Sequence, residues 1–392
     1  MLKCKIGIRN NLCYPSMLIL FLSLRKIVEI LMGIKQICKY SNGFFIIPSL
    51  IFISQFFAGF IPLYFNIKSK KISQKNSNYL GIELIQNQPT IIQPDKQIKI
   101  YALIIFASFF NYIGVIVRRN INDFHFENKI RGIQIIFSAL LCYFTIRIKI
   151  YKHQIFSLTA IFIIIIFIIS IDLFFYNEKF LSLYLYGIFS CSSRAFLDTT
   201  EKYLFEFDYL NPYKVLMLEG LIGCLLLPIL FSFETTYDDI NDFYKEKGVW
   251  KLFLLVILSL MHLILSLFKN IYRVLTIKSY SPMTRALAES IIDPFDFIYL
   301  LIFKTDKKDG NSNKNYYYII IIIALLIISF LSFVYNDFIV LYCCGLEYNT
   351  HLEIQKRAIL YENINGSIMD LERNRLVKEE SNNEKAELSE KK

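Results

Sequence analysis

The sequence predicts an all-α, polytopic membrane protein of ten transmembrane helices, arranged as two inverted five-helix repeats. Of its 392 residues, 55% are hydrophobic and 16% aromatic, whereas a soluble domain is typically about 45–50% apolar. Continuous apolar runs such as 155–171 and 316–334 approach or exceed the roughly 18 residues that a membrane-spanning helix needs. A transmembrane β-barrel would show alternating apolar residues instead. Short parallels between the two halves indicate the repeat.

The first half of the chain contains five apolar stretches. The first stretch is interrupted by Arg25 and Lys26, and the second contains Gln55 and Gly59. A polar connection with two prolines, residues 66–99, separates the second stretch from the third and is expected to be a loop. The spans predicted here are 12–33, 44–65, 100–117, 130–148 and 155–175.

The second half has the same organisation with more internal charge. The sixth stretch carries Arg194 and Asp198 inside its apolar run, and the seventh carries Glu219. The eighth ends at residue 268 and continues as a more polar helix to residue 276. The spans predicted here are 181–205, 212–233, 249–268, 282–303 and 316–341.

These spans divide the chain into two parts. Residues 1–341 form the predicted membrane domain, with repeat one over about 12–175 and repeat two over about 181–341. Residues 342–392 form a charged, cytosolic C-terminal tail that is partly disordered, because its composition is too polar to bury a core.

The repeat itself is indicated by matching spacings. Arg119 and Arg131 are twelve residues apart, as are Arg273 and Arg285, and both pairs bracket the junction between the third and fourth spans of their half. The segment QFFAG in the second span resembles EGLIG in the seventh, with a polar residue four positions before a glycine. Five spans followed by five related spans invert the second copy, as in many secondary transporters.

Charged residues inside apolar spans are the candidate site residues. An ionisable side chain at that depth is costly, from about 2.5 to over 10 kcal/mol, unless it faces a partner or a polar cavity. Arginine in particular binds phosphate through two parallel hydrogen bonds. The alternative is that ion pairs such as Arg194–Asp198 or Arg25–Glu29 only tie helices together. The predicted substrate-binding residues are Arg25, Lys26, Gln55, Arg194, Asp198, Glu219, Arg285 and Glu289.

Several classes of protein are disfavoured by the sequence. No phosphate-binding loop, dinucleotide-binding turn or hydrolase motif is present, so we expect neither an enzyme nor a cofactor. The eight cysteines include no CxxC spacing, which argues against a metal site. The net charge of +10 lies largely in short loops beside the spans, where it sets orientation and meets anionic lipid rather than nucleic acid.

Four segments carry a resemblance to a known family. They are GIRNNLCYPSMLILFLSLRKI, NPYKVLMLEGLIG, KNIYRVLTIKSYSPMTRALAESIIDPF and CGLEYNTHLEI. They resemble ten-span proteins of unicellular eukaryotes that are similar to solute carrier family 35 in the drug/metabolite transporter superfamily. The resemblance implies two five-helix repeats, cytosolic termini, alternating access and location in the Golgi, endoplasmic reticulum or another endomembrane. SPMTRALAE stands where the nucleotide-sugar branch has a lysine-ending signature, so no binding residue is carried over.

The predicted function is secondary transport, by exchange or proton coupling, of a small organic anionic or phosphorylated metabolite such as a nucleotide-sugar. The partners expected are this substrate and the lipid bilayer. The sequence does not decide whether the protein forms a homodimer. The alternative is a receptor or adaptor that signals through the C-terminal tail. An ion channel is a third hypothesis, disfavoured because no filter-like loop is visible.

Overall fold

The computed structural model describes residues 13–34, 49–65, 94–119, 126–176, 180–231, 249–303 and 312–339, with isolated residues and short pieces between 341 and 360. All regular secondary structure in these residues is helical. The helices are α1 (Cys13–Ile34), α2 (Ser49–Phe65), α3 (Pro94–Arg119), α4 (Phe126–Ile130), α5 (Gly132–Thr145), α6 (Lys152–Tyr176), α7 (Phe180–Glu206), α8 (Pro212–Phe231), α9 (Val249–Ser279), α10 (Pro282–Ser290), α11 (Asp293–Phe303) and α12 (Ser312–Tyr335).

Each predicted apolar stretch coincides with helical structure, but four of the stretches differ from their predicted bounds. Helix α3 begins at Pro94, within the predicted loop, because proline suits the first turn of a helix, where no N–H partner is needed. The fourth and ninth stretches are each divided into two helices. Helix α12 ends at Tyr335 rather than at residue 341, since Asp337 adopts a positive φ of 60° and the N–H of Phe338 donates to the carbonyl of Phe333.

Among the described residues, four helices are long and apolar enough to cross a membrane, over Ile98–Val117, Lys152–Phe174, Phe253–Ser279 and Tyr316–Tyr335. Their exposed faces carry large apolar side chains, which a soluble surface rarely gathers in one band. Examples are Phe106, Phe162, Ile163, Phe167, Ile264, Ile323 and Phe330. These features support the predicted all-helical integral membrane protein.

The main helix contacts join helices of the first half of the chain to helices of the second half. The most extensive contacts join α1 to α9, α3 to α7 and α5 to α7. Helix α6 packs against α12 around a buried cluster that includes Ile161, Ile165, Ile321 and Ile328. Helices from the first half are therefore interleaved with helices from the second, and the interior they form contains the charged residues.

Helices α2 and α8 cross at two glycines. A Cβ at Gly59 would overlap the backbone of Met217, and a Cβ at Gly220 would overlap the backbone of Phe56. Only glycine allows the two backbones this approach. The small residues of the second and seventh stretches therefore serve packing, and the crossing fixes the position of Glu219 next to Gly220.

The break between α10 and α11 follows from Pro294. Proline has no N–H, so the carbonyl of Ser290 loses its helical partner. The hydroxyl of Ser329 on α12 donates to that carbonyl at 3.0 Å instead. The two divided stretches also meet each other, because Arg131 between α4 and α5 pairs with Asp293 at the start of α11, with Nη1 2.7 Å from Oδ1.

Hydrogen bonds fix the ends of two further helices. The ammonium of Lys202 on α7 donates to the carbonyls of Lys278 and Tyr280, at 3.1 and 3.0 Å, and so caps the C-terminal end of α9. Ser281 then caps α10, since its hydroxyl accepts from the N–H of Thr284 at 3.1 Å. The predicted signalling tail lies mostly outside the described residues.

Candidate functional site

The interior of the protein contains a connected network of charged side chains from four helices. Helix α7 contributes Arg194, Asp198 and Glu201, α8 contributes Glu219, α9 contributes Arg273, and α10 contributes Arg285 and Glu289. We call this set the ionic network. Apart from Arg194, which is partly exposed, all of these residues are buried.

Asp198 is the centre of the ionic network and is completely buried. Its Oδ2 accepts hydrogen bonds from Arg285 at 2.5 Å and from Gln134 of α5 at 3.2 Å, and its Oδ1 lies 3.3 Å from Nη1 of Arg273. Asp198 therefore pairs with Arg273 and Arg285, whereas the described contact of Arg194, one turn earlier on α7, is with Glu289.

Arg273 links Asp198 to two further carboxylates. Its Nη2 donates to Glu201 at 2.6 Å and to Glu219 at 2.9 Å. One guanidinium thus contacts three carboxylates, from α7 and α8, as its planar arrangement of five donors allows. The adjacent gap is lined by apolar residues such as Ile104 and Leu204 and also by the polar residues Thr200, Glu201 and Glu219.

Arg285 extends the ionic network toward Arg194. Besides contacting Asp198, it donates to Glu289 at 2.9 Å, one turn along α10. The other oxygen of Glu289 lies 3.6 Å from Nη1 of Arg194. The structure therefore joins Arg194, Asp198, Glu219, Arg285 and Glu289, five of the eight predicted site residues.

The charges of α1 form a separate group. Nε of Arg25 lies 3.3 Å and Nζ of Lys26 3.7 Å from the carboxylate of Glu29. Nε2 of His262, on the neighbouring helix α9, lies 3.2 Å from the same carboxylate. Arg25 thus takes the alternative role considered for it, a pair with Glu29, while remaining partly exposed at 17%.

Gln55 lies at the crossing of α2 and α8, one turn before Gly59. It is buried, and its side-chain carbonyl oxygen has no hydrogen-bond partner among the described residues. The adjacent Ser54 accepts a hydrogen bond from Asn270 of α9 at 2.9 Å. Gln55 is therefore in the interior but makes no described contact with the ionic network.

Four residues important to this interior were not predicted as site residues. They are Gln134, Glu201, Lys269 and Arg273, all of them buried. The two cations of α9 lay beyond residue 268, where the eighth span was predicted to end. The apolar window of α9 extends to Ser279 instead, which places both cations among the helices.

A second polar cluster lies apart from the ionic network. Asp172 at the end of α6 accepts from Lys129 at 3.0 Å, and from the hydroxyls of Tyr184 and Tyr317 at 2.5 Å each. All four side chains are buried. The cluster joins the end of α6 to α4 and to the first turns of α7 and α12, so it ties four helices at one end of the bundle.

In the ionic network Arg273 and Arg285 each contact more than one carboxylate. Guanidinium groups bind carboxylates and phosphates through the same kind of charge-assisted hydrogen bond, so these two side chains have the chemistry of an anion site. No family model and no curated protein matches this sequence.

Proposed function

We propose that this protein is a secondary transporter of a small organic anion, in the drug/metabolite transporter superfamily. In this proposal ten helical spans form two inverted repeats, with α1–α6 making the first and α7–α12 the second. Both termini face the cytosol, and the membrane is an endomembrane such as that of the Golgi or endoplasmic reticulum.

The helix contacts support the repeat. Exchange of the two halves maps the α1–α9 contact onto α7–α3, and these are the two most extensive contacts in the described residues. The same exchange maps the contact between the fourth and sixth spans (α5–α7) onto the contact between the ninth and first spans (α10–α1). The contact of the fifth span with the tenth (α6–α12) maps onto itself, and so does that of the fourth with the ninth (α5–α10). A two-fold axis between the halves predicts such a pattern.

The observation that carries the proposal is the ionic network itself. Buried ion pairs contribute little net stability compared with apolar packing, because removing charges from water costs several kcal/mol for each ion, roughly. Intramembrane ionisable groups are accordingly associated with substrate and ion pathways. Four helices converge on Asp198. It lies on α7, and its partners lie on α5 of the proposed first repeat and on α9 and α10 of the second.

Exchange of partners supplies a physical route for transport. A substrate anion that displaces Asp198 from Arg285, or Glu289 from Arg194, breaks contacts between α7 and α10. Those contacts hold helices of the second repeat to each other, so their loss permits relative movement of the helices. Binding and opening are then coupled through the same guanidinium groups.

Transport into proteoliposomes tests the proposal. We expect saturable uptake of a phosphorylated or carboxylated metabolite, stimulated by the same compound inside the vesicles. Arg285→Gln and Arg194→Ala should reduce uptake by at least tenfold, since each removes an anion-binding group. Lys278→Met, an exposed substitution on α9, is the control and should leave uptake unchanged. Full activity in an Arg194→Ala, Arg285→Gln double variant would contradict the assignment of the site.

A further inference from the structure

A continuous polar stripe runs along the buried face of α9. His262, Ser266, Lys269, Arg273 and Thr276 are spaced by four, three, four and three residues, which places them on one helical face. All five are buried. At about 1.5 Å per residue the stripe is roughly 21 Å long, most of the thickness of a bilayer core.

Several polar atoms of the stripe have no hydrogen-bond partner among the described residues. They are Nδ1 of His262, Oγ of Ser266, Nε of Arg273 and Oγ1 of Thr276, all of them buried. Buried polar atoms are normally paired, and a group of exceptions points to water or a ligand at that place. The stripe therefore has the chemistry of the wall of a polar pathway.

Lys269 lies at the middle of this stripe and is only 8% exposed. Its ammonium has no carboxylate within ion-pair distance among the described residues. The main charges that act on it are those of three cations, Arg25, Arg273 and Arg285, and of the carboxylate Glu289. An ammonium with mostly cationic neighbours is costly to bury, and an anion would offset that cost.

We propose that Lys269 is the receptor for the anionic group of the transported molecule, with Arg25 at its side. The group is a compact oxyanion, either a phosphoryl group or a carboxylate, because a lysine ammonium binds such groups as a point charge. This inference rests on the proposed transport function and deepens it by naming the recognition residue. Lys269 bridges the α1 charges and the ionic network, so a bound oxyanion also approaches Arg285.

The test compares the thermal unfolding midpoint, Tm, of the purified full chain with and without added anion. Without anion, Lys269→Met should have a Tm equal to or above that of the wild type, because it replaces an uncompensated buried charge by an apolar chain of similar length. Inorganic phosphate or succinate should raise the Tm of the wild type and of the Lys278→Met control, increasingly with concentration. Neither anion should raise the Tm of Lys269→Met.

The two anions distinguish the two ligand groups. A shift with phosphate alone assigns a phosphoryl group, and a shift with succinate alone assigns a carboxylate. A full anion-dependent shift in Lys269→Met, no shift with either anion in the wild type, or a Tm loss in Lys269→Met without anion would each overturn the inference. If proteoliposome uptake persists in Lys269→Met, the assignment of Lys269 as the anion-binding residue is wrong, but the proposed transport function is not contradicted. If the wild type transports none of the anionic metabolites, the proposed function fails.

Discussion

Arg273 is the residue on which the charge balance of the interior depends most. It contacts Asp198, Glu201 and Glu219 on two different helices, and all four side chains are buried. Removing one partner of a buried pair leaves an uncompensated charge, which is far more damaging than replacing the whole pair.

The first prediction concerns this residue. Arg273→Met should lower the free energy of unfolding by about 3–5 kcal/mol, because it leaves three carboxylates with one fewer guanidinium. Thermal unfolding in detergent measures the effect, with Lys278→Met on the same helix as the control. Adding Glu201→Gln and Glu219→Gln to Arg273→Met should restore part of the loss. An unchanged Tm in Arg273→Met would show that these contacts contribute nothing.

At this scale the sequence identified part of the site. Asp198, Glu219 and Arg285 interrupt apolar runs, so their position in the sequence is enough to predict them as site residues. Lys269 and Arg273 escape the same reasoning, because charges after an apolar run resemble the end of a span. Their burial depends on carboxylates and neighbours from α1, α7, α8 and α10, which are distant in the chain.

Among the elements, the crossing of α2 and α8 sets the closest approach of two backbones. The second prediction is that Gly220→Ala destabilises the protein by about 1–3 kcal/mol, because the added methyl group meets the backbone of Phe56, which cannot rotate away. Gly132→Ala is the control. Its methyl group would lie 3.1 Å from the flexible ends of Ile161 and Ile165, so a smaller effect is expected. Equal losses in unfolding temperature would contradict this explanation.

The third prediction concerns the break between α10 and α11. Ser329→Ala should cost about 1–3 kcal/mol, because it leaves the carbonyl of Ser290 with no donor. In a Pro294→Ala background the new N–H of residue 294 can serve that carbonyl, so Ser329→Ala should then cost less. Unfolding of the two single variants and the double variant measures the difference. Additive losses would show that Pro294 and Ser329 do not share this carbonyl.

The helices themselves were largely predictable, because their apolar runs are long and two of them begin at Pro212 and Pro282. The start of α3 at Pro94 was not predicted, because the residues that follow it are polar. The division of the ninth stretch is explained by Pro294, a signal present in the sequence. The division at Arg131 has no such signal and follows from tertiary contacts, including the ion pair with Asp293. The end of α12 depends on the left-handed conformation of Asp337, which apolar periodicity does not reveal.

For the whole molecule, contacts between helix ends fit a chain that alternates in direction. The start of α6 meets the end of α12, where Nε2 of His153 lies 2.8 Å from Oδ1 of Asp337. The Asp172 cluster joins the other end of α6 to the start of α12. Helices α6 and α12 are therefore antiparallel, as expected for the proposed exchange of the fifth and tenth spans.

The fourth prediction follows from ten alternating spans. Epitope tags placed at the N-terminus and at the C-terminus should both be reached by antibody when only the plasma membrane is permeabilised, because the proposed topology puts both ends in the cytosol. A glycosylation acceptor placed in the connection 66–93 should stay unmodified, since the same topology puts this connection on the cytosolic side. A lumenal C-terminus, or glycosylation in that connection, would require a different number of spans.

The ionic network also has a consequence for how the chain is made. Helix α7 is not among the helices that are apolar enough to span on their own, and the partners of Asp198 follow 75 and 87 residues later, at Arg273 and Arg285. At about 5–20 residues per second, the ribosome supplies Arg285 roughly 4–17 s after Asp198. During that interval Asp198 has neither of its arginine partners, so we expect α7 to depend on the translocation machinery or on a chaperone. We also expect a chain that stops before α9 to be unstable in the membrane, because its buried carboxylate stays uncompensated.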